Sequence, residues 1–254
     1  MCAELLQGSI AEMQRSEFAH ILPLYSSASV TIFVGSPDKK YTLPKALLFL
    51  RSSYFEAMFK GGFKEGVEQT AMLELIDGVV SVRAFESLVL WICVGRIVLQ
   101  EPAPEESITA AVELSRFADM CGVTGMQQQV AGQIKEIILS SPAQISNRIP
   151  RNPDRNTQNI TPAHLVAASN LPRGHAVCEI LAMAAVEGYM QWDTHKFTGE
   201  CHYLPGFSAD LLTEVKKTLV TINSGGFAVE FKDPLRQEMV TLHGSVPEEI
   251  EDVW

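Results

Sequence analysis

One run of residues limits the fold of this chain more than any other. Ser29-Val-Thr-Ile-Phe-Val-Gly35 is apolar and β-branched, and it is closed by Gly35 and the turn-forming Ser36-Pro37-Asp38. It reads as a buried strand, and a buried strand needs strand neighbours and a cover of other elements. Tyr41 to Leu43 is its short hairpin return, and Ala71 to Ile76, ended by Asp77-Gly78, reads as another strand. Most of what remains is helical in period. Lys45 to Leu50 and Ser53 to Lys60 form two short helices separated by Ser52, which can cap the second, and Gly61-Gly62 then breaks the chain. Val82 to Val94 sets Phe85, Leu88, Val89 and Ile92 along one face and stops at Gly95. Glu105 and Glu106 suit a helix start, Ala110, Leu114, Phe117 and Met120 carry that helix to Gly122, and Gln127 to Leu139 forms the next. Few strands and many helices, in this order, predict an α+β fold with a small sheet.

The flanks divide the chain further. Residues 1–25 hold an amphipathic helix with Leu5, Leu6, Ile10 and Met13 at helical spacing, and Pro23 at or after its end. Residues 26–139 make the α+β domain. Residues 140–160 contain Pro142, Pro150 and Pro153 with only Ile145 and Ile149 as sizeable apolar groups before Ile160, which reads as a linker. Residues 161–254 form an all-α extension: Thr161-Pro162 opens a helix through Ala168, Pro172 to Met190 and Ser208 to Ile222 follow, and Glu248, Glu249, Glu251 and Asp252 mark an acidic tail.

Composition removes several functions. With 20 Lys and Arg against 30 Asp and Glu, the 254-residue chain carries a formal charge of −10 and has no basic stripe, which argues against direct nucleic-acid binding. The longest apolar run, Leu88 to Val94, is far short of the ~20 residues a membrane helix needs, and Glu4 and Glu12 sit where a secretory signal would be apolar. Five scattered cysteines suit a reducing compartment, so a cytoplasmic or nuclear location is expected.

Catalysis finds little support. His195, Cys201 and His202 come nearest to a metal cluster but lack a completing pair, and no Cys-x-x-Cys occurs. There is no Gly-x-Ser-x-Gly elbow, and Gly61-Gly62 lacks the Gly-Lys-Ser/Thr of a phosphate loop. Cys93 and Cys121 fit as small core residues. The expectation is a chain that is not an enzyme, with no catalytic residues, no cofactor, no metal and no small-molecule substrate.

Taken together, Val30-Thr-Ile-Phe-Val-Gly35, Tyr41-Thr-Leu-Pro-Lys-Ala-Leu-Leu48, Ser52-Ser-Tyr-Phe-Glu-Ala-Met-Phe59, Phe63-Lys-Glu65, Leu73-Glu-Leu75 and Phe85 to Ile97 resemble a BTB/POZ domain in order and spacing. Asn170 to Leu181 is similar to the helical extension of fungal BTB proteins. The resemblance implies a three-stranded sheet flanked by a helix cluster, and protein partners. Family members often carry Asp before the first strand and His before the Lys of the first helix. Ser29 and Pro44 stand there instead, and Cys93-Val94 replaces a Tyr-Thr. The charged pocket that the dimeric transcription-factor branch builds between subunits therefore loses its acid. In BTB adaptors of cullin-3 ubiquitin ligases a hydrophobic-x-Glu triplet contacts the cullin, and the resemblance places Phe63 and Glu65 in that role. The expectation is an adaptor that recruits a partner to cullin-3, with the extension reading the client. The alternative is a self-associating BTB scaffold without a ubiquitin role.

Overall fold

A computed structural model describes residues 10–140, 155–225 and 228–242. β1 (Ser29–Val34) alternates as a strand between a core and a second face must: Val30, Ile32 and Val34 are buried, while Thr31 and Phe33 are only partly covered. β2 (Ser36–Pro44) returns antiparallel to it, and β3 (Thr70–Leu73) pairs parallel on its other side, giving the order β2-β1-β3. The turn falls at Gly35, whose φ of +70° a side chain would resist, and not over Ser36-Pro37-Asp38, which belong to β2. The register between the first two strands shifts there, between Phe33 and Val34, which absorbs the extra residues.

A parallel partner requires a crossover, and the short helices supply it. α2 (Lys45–Arg51) and α3 (Ser53–Lys60) are split at Ser52, which is extended. Its buried hydroxyl accepts the Phe55 N–H at 3.2 Å and donates to the Cys121 carbonyl at 2.6 Å. α4 (Lys64–Glu68) then leads into β3. β3 ends at Leu73, short of the Ile76 expected, because Ile76 turns back to bridge Val80 around Gly78 at φ +63°. α5 (Val82–Val94) is stopped by Gly95, as the sequence pattern requires, and its start is capped by Ser81. α6 (Pro104–Met120) and α7 (Gln127–Ser140) complete the first cluster of helices around Phe55, Phe85, Leu88, Trp91 and Phe117.

α8 (Pro162–Ala168), α9 (Ala176–Gln191), α10 (Thr198–Tyr203) and α11 (Pro205–Leu219) follow. α9 starts later than Pro172 because His175 caps it, and α11 starts earlier than Ser208 because Pro205 takes its first position. One hydrophobic cluster runs without a gap from Val30 and Ile32 through Phe117 and Ile134 into Leu181, Leu211 and Leu235. The extension therefore shares its core with the α+β part.

Three expectations need correction. The extension is not all-α: β4 (Asn223–Gly225), β5 (Ala228–Lys232) and β6 (Met239–Thr241) form an antiparallel sheet in that order. It is held together where Phe231 and Val240 meet across β5 and β6 as a buried pair. The linker expected over residues 140–160 does not extend to residue 160, because Asn156, Thr157 and Ile160 are buried; residues 141–154 lie outside the described residues. The N-terminal segment is broken, with 3-10 turns at Ile10–Glu12 and Leu22–Ser26 on either side of α1 (Arg15–Ile21). Ile10 and Ile21 are buried in a small cluster with Met13, Leu24, Tyr25 and Leu50, whereas Leu5, Leu6 and the acidic tail lie outside the described residues.

What fixes residues 155–160 is a buried polar network. Arg155 Nε meets both carboxylate oxygens of Glu187, at 3.1 and 3.3 Å, and Arg155 Nη1 lies 3.4 Å from Glu238. Asn156 donates to Asp233 Oδ2 at 2.9 Å and accepts from Arg236 Nε at 2.7 Å. Burial opposes the charge on Arg155, but hydrogen bonding to Glu187 and the charges of Glu187, Glu238 and Asp233 hold its guanidinium above its ordinary value. The network ties the start of the extension to α9 and to the turn between β5 and β6.

Candidate protein-interaction site

The chain leaves α3 at Gly61 and re-enters helix at Phe63, the extended residue that caps α4 through its carbonyl, which accepts the N–H groups of Gly66 at 3.0 Å and Val67 at 3.1 Å. Two residues hold this loop. Gly66 packs so closely on the end of α3 that a Cβ there would come within 2.1 Å of the Gly61 carbonyl oxygen, so no other residue fits without moving backbone. Gln69 is left-handed at φ +52°, and its side-chain amide donates to the Phe59 carbonyl at 3.2 Å and also to that of Gly66. Its own carbonyl accepts the Thr31 N–H at 3.0 Å, which fastens the loop to β1.

On that support Phe63 is 69% exposed and Val67 is 78% exposed. Four residues apart around one helical turn, they share a face. Glu65 lies between them on another face and is half-buried. Tyr54 is pushed above its ordinary value first by burial, then by the charges of Cys121 and Glu65. The structure thus places both predicted residues on one loop, with Phe63 open to solvent and Glu65 partly sheltered. Lys64 and Glu68 make an exposed pair at 3.9 Å, which contributes little. Met72, Leu75 and Ile76 extend the exposed apolar residues beyond this loop.

Sequence reasoning missed Val67, Gly66 and Gln69. Val67 could have been found from its spacing to Phe63. Gly66 and Gln69 could not, because their roles depend on how α4 docks against α3.

The other candidates do not assemble into a site. Cys201 Sγ is 3.9 Å from His195 Nε2 along a cavity of about 490 Å3 that His202 also lines. Nδ1 of His195 accepts the Phe197 N–H at 3.3 Å, so Nε2 of the neutral ring carries the proton and cannot take one from the thiol. Burial pushes the Cys201 thiol up, and does the same to Cys178, to about 11, and to Cys121, to about 12. Such thiols are poor nucleophiles. Among the described residues, no group of three or more His, Cys, Asp or Glu could hold a metal ion, and no helix is long and apolar enough to cross a membrane.

The three-stranded sheet has a parallel strand reached through a helical crossover, with α5 and α6 packed in the same core. Residues 25–130 match the BTB/POZ domain, and this part of the chain is a BTB/POZ domain. No curated protein matches the chain. BTB/POZ domains are generally interaction modules and not enzymes, and protein–protein interaction is the function this domain supports.

Proposed function

We propose that the chain is an adaptor of the fungal BTB type that brings a partner to a cullin-3 ubiquitin ligase, with Phe63 as apolar anchor and Glu65 as the discriminating charge. The observation that carries this reading is the presentation of Phe63: a large aromatic side chain, mostly in solvent, on a loop fixed by Gln69 and Gly66. A monomer gains nothing from exposing it, whereas a partner pocket gains the burial of an aromatic side chain held in place in advance. The helices and small sheet after residue 161 would then receive the client, in the cytoplasm or nucleus.

The test is binding of the purified chain to the N-terminal domain of cullin-3. Truncating a central aromatic anchor costs about 2 kcal/mol or more, so Phe63→Ala should weaken binding at least ~30-fold. Glu65→Ala should weaken it less, because a carboxylate at the edge of a contact contributes less than a central aromatic anchor. No binding at tens of micromolar by the unmodified chain would reject the adaptor reading and leave a BTB scaffold that assembles itself or other proteins.

A further inference from the structure

Two buried histidines stand at the start of the extension, one bonding it to the BTB/POZ domain and the other capping its second helix. His164 on α8 is 3% exposed and His175, the cap of α9, is 4% exposed. Each uses Nδ1 as an acceptor for a backbone N–H: that of Thr161 at 3.0 Å for His164, and that of Val177 at 3.2 Å for His175. A ring nitrogen that accepts an amide proton carries none itself, so both rings are neutral with the proton on Nε2.

At His164 the remaining geometry fits only that form. Nε2 is 2.8 Å from Thr109 Oγ1 on α6, and the Thr109 hydroxyl gives its own proton to the Glu105 carbonyl at 3.1 Å. Donation therefore runs one way, from the Thr161 amide through the imidazole and Thr109 to Glu105, and it joins α8 to α6. An imidazolium has N–H on both nitrogens, so its Nδ1–H would face the Thr161 N–H with nothing between them to accept. Charged neighbours do not offset this. His164 faces Glu105 on α6, which favours protonation, and Lys196 after α9, which opposes it; His175 faces Asp119 at the end of α6. Lys196 is held in place by the Thr157 carbonyl at 2.6 Å. Burial outweighs these charges and pushes both histidines below their ordinary value.

We propose that His164 and His175 make the docking of the extension onto the BTB/POZ domain acid-sensitive: protonation of the two rings releases α8 from α6 and removes the cap from α9. The direction follows from linkage. A histidine whose docked value lies below its free value binds no proton while docked, so docking is fully stable above about pH 6.5. As pH falls below that, each ring shifts the docked-to-undocked ratio about tenfold per pH unit until the docked state itself takes up the proton.

Amide hydrogen exchange on the full chain at about pH 7.5 and about pH 5, corrected for intrinsic rates, tests this across the ordinary imidazole range. The expected result is a loss of protection of about tenfold or more in α8 and the first turn of α9. Amides of β1 serve as the reference and keep theirs. In the variant H164N/H175N each side-chain amide oxygen can accept the same N–H and neither titrates, so protection of α8 should not depend on pH. Unchanged protection in the natural chain, or the same loss in the variant, overturns the proposal. Should the variant fail to fold, proton NMR of the two imidazoles in the natural chain decides: a ring that titrates at its ordinary value while α8 stays protected overturns it equally.

Discussion

Arg155 offers an internal comparison, since one guanidinium meets two carboxylates in different surroundings. Glu187 is 4% exposed at 3.1 Å, and Glu238 is 60% exposed at 3.4 Å. Removing one partner of a fully buried pair costs about 3–5 kcal/mol, because the other charge is left without compensation. Arg155 is 24% exposed, so water recovers part of that loss, and about 2–3 kcal/mol is the expectation for Glu187→Ala. In a chain of this size that lowers the melting temperature by roughly 4–12 °C. Glu187 also lies 3.4 Å from the Asn156 amide, so the loss spreads to the Asn156–Asp233–Arg236 bonds. Glu238→Ala removes only an exposed partner and should cost about 0–1 kcal/mol. The assay is thermal and urea unfolding of both variants, with hydrogen exchange over residues 155–160. Equal effects from the two substitutions would refute the reasoning, since they would show that burial does not distinguish the carboxylates.

Other expectations follow from the same contacts. Ser52→Ala removes an acceptor for the Phe55 N–H and a donor to the Cys121 carbonyl in a buried position, which should cost about 2 kcal/mol, read by urea unfolding with an unchanged m-value. Gly66→Ala must displace backbone at Gly61, so it should weaken any binding that depends on Phe63 while leaving the protection of β1 intact. Cys121, fully buried and raised to about 12, should react with a thiol reagent at neutral pH only at the rate of unfolding; fast labelling in the native state would contradict its burial.

Local chemistry made much of the BTB/POZ part legible. Gly95 stops α5 where expected because a left-handed glycine satisfies a helix end without help from elsewhere. Ser52 divides α2 from α3 because its hydroxyl caps the second helix, although its second bond, to Cys121, joins residues far apart in sequence and could not be read from spacing. β4 to β6 escaped notice because strands of three to five residues leave too little alternation to outweigh nearby Gly and Pro. Asn156 looks like a linker residue by type, and it becomes core only because Asp233, Arg236 and Glu187 surround it. At the interaction loop the motif residues Phe63 and Glu65 were readable, whereas the close contact of Gly66 and the bonds of Gln69 arise from the docking of α4 on α3.

The parallel pairing of β1 with β3 also bears on synthesis. β1 is the middle strand, yet its second neighbour is Thr70–Leu73, made only after the three crossover helices. During translation the nascent chain therefore holds a hairpin whose β1 edge is unpaired until the helices collapse and deliver β3. Pairing across such a separation forms slowly compared with a local hairpin. The chain is thus most open to unwanted strand addition while the residues from Lys45 to Leu73 are emerging.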